Sequence, residues 1–155
     1  MPSLQASGRR KQRARTLRRE LMLRTGLVRA WDANVFVHAE ARHGVRERKP
    51  MLCLEIRGDL SEPVRKIGSF RLTVFAHSQP AAGAAEIPSI GAIISMKGSL
   101  EAVVELADRE FQLLTGIATA GRLAAVDLSF QEPRYGTGLF ASCSFSSREP
   151  DDVAA

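Results

Sequence analysis

Most of the chain alternates apolar and polar residues with a period of two. The clearest case is ANVFVHAEA (33–41), where Val35, Val37, Ala39 and Ala41 fall on one phase and Asn34, Phe36, His38 and Glu40 on the other. Successive strand side chains point to opposite faces, so this pattern predicts a strand. The same reading predicts strands over MLCLEIR (51–57), IGSFRLTVFAH (67–77), IGAIISMK (90–97), LEAVVELA (100–107), LAAVDLSF (123–130) and LFASCSFS (139–146). Charged or turn-rich segments separate them: RHGVRERKP (42–50), GDLSEP (58–63), SQPAAGAAEIP (78–88) and QEPRYGTG (131–138). Their glycines, prolines and aspartates suit turns and interrupt a ladder.

One segment changes period. From Asp108 to Ala120, Phe111, Leu113, Leu114, Ile117, Ala118 and Ala120 cover about half a helix circumference. Asp108 suits an N-cap, Glu110 suits the positive end of the macrodipole, and Gly121 suits a left-handed stop. A second, weaker helical stripe (Ala14, Leu17, Leu21) runs through residues 9–24. Its many cations repel one another and it offers little apolar area, so it predicts an arm that is disordered or marginally helical.

Five strands, a helix and two strands predict a mainly β domain of about seven strands, an antiparallel sandwich or open barrel, with one α-helix near 108–120. A parallel doubly wound fold needs helices between its strands, and only one is predicted. On the phase opposite the aliphatic core lie Phe36, Cys53, Phe75 and Ile93. So many apolar groups on one outer face call for a cover: a second sheet, the helix or another subunit. Phe36 and Phe75 are the candidate interface residues of a homo-oligomer.

Charge divides the chain. Residues 1–30 hold nine Arg or Lys and one acid, a surplus of +8. Residues 31–155 hold 13 basic and 16 acidic residues, a deficit of −3. The high pI of 9.9 therefore belongs to the arm. This predicts a basic arm over 1–30, one β-rich domain over 31–147 and a polar tail over 148–155. A translation start at Met22 would remove most of the arm. No apolar run reaches the ~18 residues that span a bilayer, and no apolar stretch follows the basic residues as in a secretory leader. The two cysteines, Cys53 and Cys143, lie far apart in strand-like runs, the usage of a reducing, cytoplasmic setting.

Chemical motifs are sparse. His38, His77 and Cys53 share the non-core phase, and a suitable register would bring them together as a metal or catalytic group. No HxH, HExxH or CxxC spacing enforces this. GTGLFA (136–141) has the spacing of a dinucleotide fingerprint, but a strand follows it instead of the helix N-terminus that phosphate binding requires. PRYGTG (133–138) reads first as a turn, although Arg134 and Tyr135 are residue types that stack on bases. No metal, cofactor or catalytic residue is assigned, and an enzyme is not expected.

The basic arm is the strongest functional signal. Arg-rich segments bind nucleic acid by displacing counterions and need no sequence code. The expected function is a small non-enzymatic binding module. Its nucleic-acid contacts are Arg9, Arg10, Lys11, Arg13, Arg15, Arg18 and Arg19, extended by Arg46, Arg48 and Lys49 and by Arg134 and Tyr135. The alternatives are another acidic partner for the arm, an inert solvated tail, and a structural homo-oligomer built on the Phe36/Phe75 face.

Overall fold

The structure, a computed structural model, describes residues 19–77 and 89–149, with only the backbone at 40, 42, 47, 49 and 77. Of the helix expected over 9–24, residues 9–18 lie outside these residues, as do the loop over 78–88 and most of the polar tail, while residues 21–24 are strand and not helix. The described residues are mainly β, with seven strands and one helix, as the alternation predicts.

The elements are β1 (Leu21–Arg42), β2 (Val45–Val64), β3 (Ile67–His77), β4 (Gly91–Ser95), β5 (Leu100–Ala107), α1 (Asp108–Thr119), β6 (Ala125–Gln131) and β7 (Gly138–Ser146). The sheet closes into a barrel in the order β1-β2-β3-β5-β4-β7-β6. Every pairing is antiparallel except β3 with β5, which run parallel because β4 lies on the far side of β5. Closure leaves no open sheet edge around the lower barrel.

Strand directions sort the connections onto two ends. The β2–β3, β4–β5 and β6–β7 turns lie at one, the turn end, and so does the start of β1. The β1–β2 turn and α1 lie at the other. Phe70, Phe130, Phe140, Ile56, Leu72 and Leu128 fill the interior and are essentially inaccessible. Phe111, Leu114 and Ala118 of α1 join that core, closing the barrel's helix end. The buried stripe of α1 is narrower than the pattern predicts, since Leu113 is exposed.

Helix α1 starts one residue earlier than the composition suggests. Ala107, not Asp108, is the N-cap, and its N–H donates to the Glu110 carboxylate at 2.9 Å. Gly121 ends the helix at φ 68°, donating to the Ala118 carbonyl, while Arg122 N–H donates to Ile117 O.

The largest departures concern β1 and β2. β1 begins at Leu21, not Ala33, so ten residues assigned by their charge to the arm form barrel wall. Residues 21–27 pair with 125–131 of β6. The inward positions there include Arg24 and Gly26, which hide the apolar alternation. GDLSEP, expected to turn, stays within β2; the ladder is irregular between Asp59 and Val64, and Pro63 sits in that gap. Proline lacks a ladder donor and is tolerated at such an irregularity. The chain turns instead at Arg65–Lys66, both with positive φ.

Likewise 45–50 is strand and the expected loop shrinks to His43–Gly44. Val35 and Val37, expected in the core, are 69% and 44% exposed. They lie above the barrel, where, among the described residues, 35–42 of β1 pair only with 45–52 of β2 as a projecting two-stranded ribbon.

Candidate polyanion interface at the turn end of the barrel

The turn end gathers cations from separate parts of the sequence. Arg65 and Lys66 form the two-residue β2–β3 turn, Lys97 lies between β4 and β5, and Arg134 begins the β6–β7 turn; all four are exposed. Arg19 precedes β1 at the same end, where Leu21 lies opposite Gln131. Glu132 ties the parts together. Its N–H donates to the Glu20 carbonyl at 2.9 Å, and its carboxylate lies 3.7 Å from the Arg65 guanidinium. A Cβ on Gly136 would stand 4.0 Å from the Met96 nitrogen, so the β4–β5 and β6–β7 turns are neighbours. Ser69 Oγ donates to the Gly98 carbonyl at 3.4 Å, linking the start of β3 to the same group.

Of the five cations, only Arg65 has an ion pair among the described residues, with Glu132, while the nearby Glu62 meets Arg24 at 3.7 Å. Residues 1–18, which join β1 at this end, contribute six more cations and no acid. Five described cations thus share one end of the domain, and it is there that the chain of residues 1–18 precedes β1.

The β6–β7 turn is a two-residue hairpin. Arg134 and Thr137 exchange backbone hydrogen bonds of 2.9 and 3.1 Å, with Tyr135 at φ 54° and Gly136 at φ 76° between them. Two consecutive positive φ values are the type I′ geometry that favours Asn, Asp or Gly. Tyr135 adopts it while fully exposed, at 102% relative accessibility, so no packing within the described residues compensates the backbone cost.

The structure divides the predicted nucleic-acid set. Arg19, Arg134 and Tyr135 share the turn end. Arg9, Arg10, Lys11, Arg13, Arg15 and Arg18 lie outside the described residues. Arg46, Arg48 and Lys49 lie on the ribbon; Arg48 stands opposite Ala39, 18 positions up β1 from Leu21. That separation is on the order of 50–60 Å along the strand. The sequence reading missed Arg65, Lys66 and Lys97. The charged pair Arg65–Lys66 between apolar runs is the signal for the β2–β3 turn, hidden by the misplaced turn at 58–63, while Lys97 falls within the strand expected over 90–97.

The suggested metal group does not form between His38 and Cys53. His38 lies opposite Lys49 and Cys53 opposite Asn34, four positions and about 13 Å apart along the ribbon. His77 ends β3 beside Ala107, and its side chain is outside the described set. No group of three His, Cys, Asp or Glu able to hold a metal occurs among the described residues.

Phe36 and Phe75 do share the outer face, on either side of β2, with Met51 and Cys53 between them. Ile93, grouped with them in the sequence reading, faces the opposite way and is core. Both cysteines are free. Burial, reinforced by the negative charge of Asp127, pushes the Cys143 thiol up to about 12. Cys143 lines a groove of about 380 Å³ between α1 and β7, where Leu113, Ile117 and Phe145 make an apolar wall. A thiol held protonated there is poorly suited to nucleophilic attack.

No protein-family model matches the sequence, and no curated protein or solved structure matches it.

Proposed function

We propose that this protein is a non-enzymatic binding module that holds single-stranded nucleic acid, without reading its sequence, at the turn end of the barrel. The observation that carries the reading is Tyr135: an aromatic ring fully exposed on a costly backbone, beside Arg134 and at the end where the basic segment joins. Phosphates would meet Arg19, Arg65, Lys66, Lys97, Arg134 and the cations of residues 1–18. Tyr135 supplies a face for one base to stack on, an interaction every base can make. The ribbon cations Arg46, Arg48 and Lys49 stand too far away to share this footprint. Two free thiols suit a reducing cytoplasm. No helix among the described residues is long and apolar enough to cross a membrane.

Fluorescence anisotropy with a labelled single-stranded oligonucleotide tests the proposal. Deleting residues 1–18 ends before β1 and leaves the ladder intact. The shortened chain should bind at least roughly 100-fold more weakly at low salt. Arg46→Gln with Arg48→Gln should change affinity less than about twofold, because rim charges distant from the ligand act weakly. Retained affinity in the shortened chain would overturn the proposal.

A further inference from the structure

One cation near the turn end points into the barrel instead of out of it. Alternate residues of β1 face inward, and Met22, Arg24 and Val28 share the phase of the buried Gly26. The Arg24 side chain is only 17% exposed. On one side it lies opposite Leu128 of β6, a core residue. On the other, the β1–β2 ladder runs toward the turn end only as far as Gly26 opposite Leu60. Arg24 therefore sits in the seam just past that last rung, near Glu62.

A guanidinium carries five N–H donors, and burying it is costly unless acceptors engage them. Arg24 is poorly supplied. Its Nη1 donates to the carbonyl of the adjacent Leu23 at 2.7 Å. The same nitrogen lies 3.7 Å from Glu62 Oε2, too far for a hydrogen bond, and Glu62 is 76% exposed, so water weakens the attraction. Its Nε is buried without a hydrogen-bond partner. Orphaned buried donors are rare and call for an explanation. Arginines on the outer wall are better served: Arg29 meets Asp59 at 2.8 Å and Arg71 meets Glu55 at 3.2 Å. Arg19 shares the condition of Arg24, for its Nε too is buried and unpartnered. Both stand toward the end that gathers the exposed cations.

We propose that Arg24 is a phosphate-binding residue of the turn-end site, its side chain turning out of the seam to meet a backbone phosphate of the bound strand. The inference rests on the reading of this end as a nucleic-acid site and adds a residue that surface charge does not reveal. In turning, Arg24 gives up one hydrogen bond to a neighbouring carbonyl and one long contact with Glu62. It gains a phosphate, which accepts two parallel N–H bonds from a guanidinium fork, and Nε can supply one of them. Glu62 competes with that phosphate for the same cation.

Arg24→Met and Arg24→Lys test this, with anisotropy of the labelled single-stranded oligonucleotide and urea denaturation as the two readouts. Met fills the seam without charge. Removing an under-satisfied buried cation should leave the urea midpoint equal or higher. Affinity should nonetheless fall roughly tenfold, as for one lost hydrogen bond to a charged group. The slope of log affinity against log salt should flatten by about 0.7, one phosphate contact on a single strand. Lys keeps the charge and should keep the full slope. Glu62→Gln should tighten binding roughly twofold, the scale of an exposed ion pair. If Arg24→Met binds with the affinity and slope of the unaltered chain, the inference is overturned and the turn-end site stands without it. If the urea midpoint falls in both variants and affinity falls in step, Arg24 is structural and the inference is again overturned. An unaltered chain with no salt-dependent affinity for the oligonucleotide removes the site itself, and Arg24 with it.

Discussion

β1 joins two ends of the molecule that are built on opposite terms. At the turn end every strand has neighbours on both sides, the connections are two to six residues long, and the exposed groups are mostly cations and one aromatic ring. At the ribbon end the same strand continues beyond the barrel with one strand neighbour among the described residues, and its exposed groups are aliphatic and aromatic. A closed barrel satisfies its own hydrogen bonds and is free to display charge. A protruding ribbon pairs along one edge and presents apolar side chains instead. The proposal of a polyanion at the turn end rests on this contrast.

The turn end is built on the barrel, so damage there should disable binding. Gly58 is the sharpest point to apply it. A Cβ at Gly58 would run into the Leu27 carbonyl and the Phe70 ring, where β1, β2 and β3 meet. Backbone cannot retreat as a flexible side chain can. Gly58→Ala should therefore lower unfolding free energy by about 3 kcal/mol or more, a large part of a domain's usual stability, measured by urea denaturation. Oligonucleotide binding should fail with it. If binding persists at full strength in the destabilised protein, the site does not depend on the barrel.

Tyr135→Asn sharpens the comparison from the turn end. Asn is favoured in the left-handed turn that Tyr135 occupies, so stability should rise by roughly 0.5 kcal/mol. Affinity for a single-stranded oligonucleotide should fall roughly tenfold, within the range of one lost stacking contact. Opposite signs for stability and binding separate a functional ring from a structural one. A variant that binds as well as the parent would remove Tyr135 from the interface.

Much of this contrast was legible in the sequence, and what was hidden has physical causes. Strands 67–77, 100–107 and 139–146 appear within a residue or two of β3, β5 and β7, because each alternates cleanly around a buried face. β1 was obscured where Arg24 and Gly26 occupy inward positions. Gly26 leaves room for the Phe70 ring, so small size there serves packing and erases the apolar signal. Val35 and Val37 alternate like core residues, yet no barrel surrounds them; alternation reports which side chains share a face, not what covers it. The charged arm was legible as composition alone. That three turns add Arg65, Lys66, Lys97 and Arg134 beside it follows from strand order, which depends on the parallel β3–β5 pairing and on closure between β1 and β6.

The wall between the ends carries a smaller, pH-dependent signature. Folding raises the Cys143 thiol from its ordinary 9.0 to about 12, so the fold favours the neutral form. The stability this contributes is complete below pH 9 and is lost as pH rises through the window to 12. Between pH 8 and 10.5, the unaltered protein should lose on the order of 1 kcal/mol more than Cys143→Ala does. Equal losses in the two proteins would show that Cys143 does not carry the effect.

The salt dependence of oligonucleotide affinity tests the division of labour most directly, measured in parallel for the full chain, the chain lacking residues 1–18, and Phe36→Glu. Removing six cations should flatten the slope of log affinity against log salt by about four, at roughly 0.7 per phosphate contact on a single strand. Phe36→Glu should keep the slope of the full chain. A slope unchanged by the deletion, or one flattened as much by Phe36→Glu, would contradict the account.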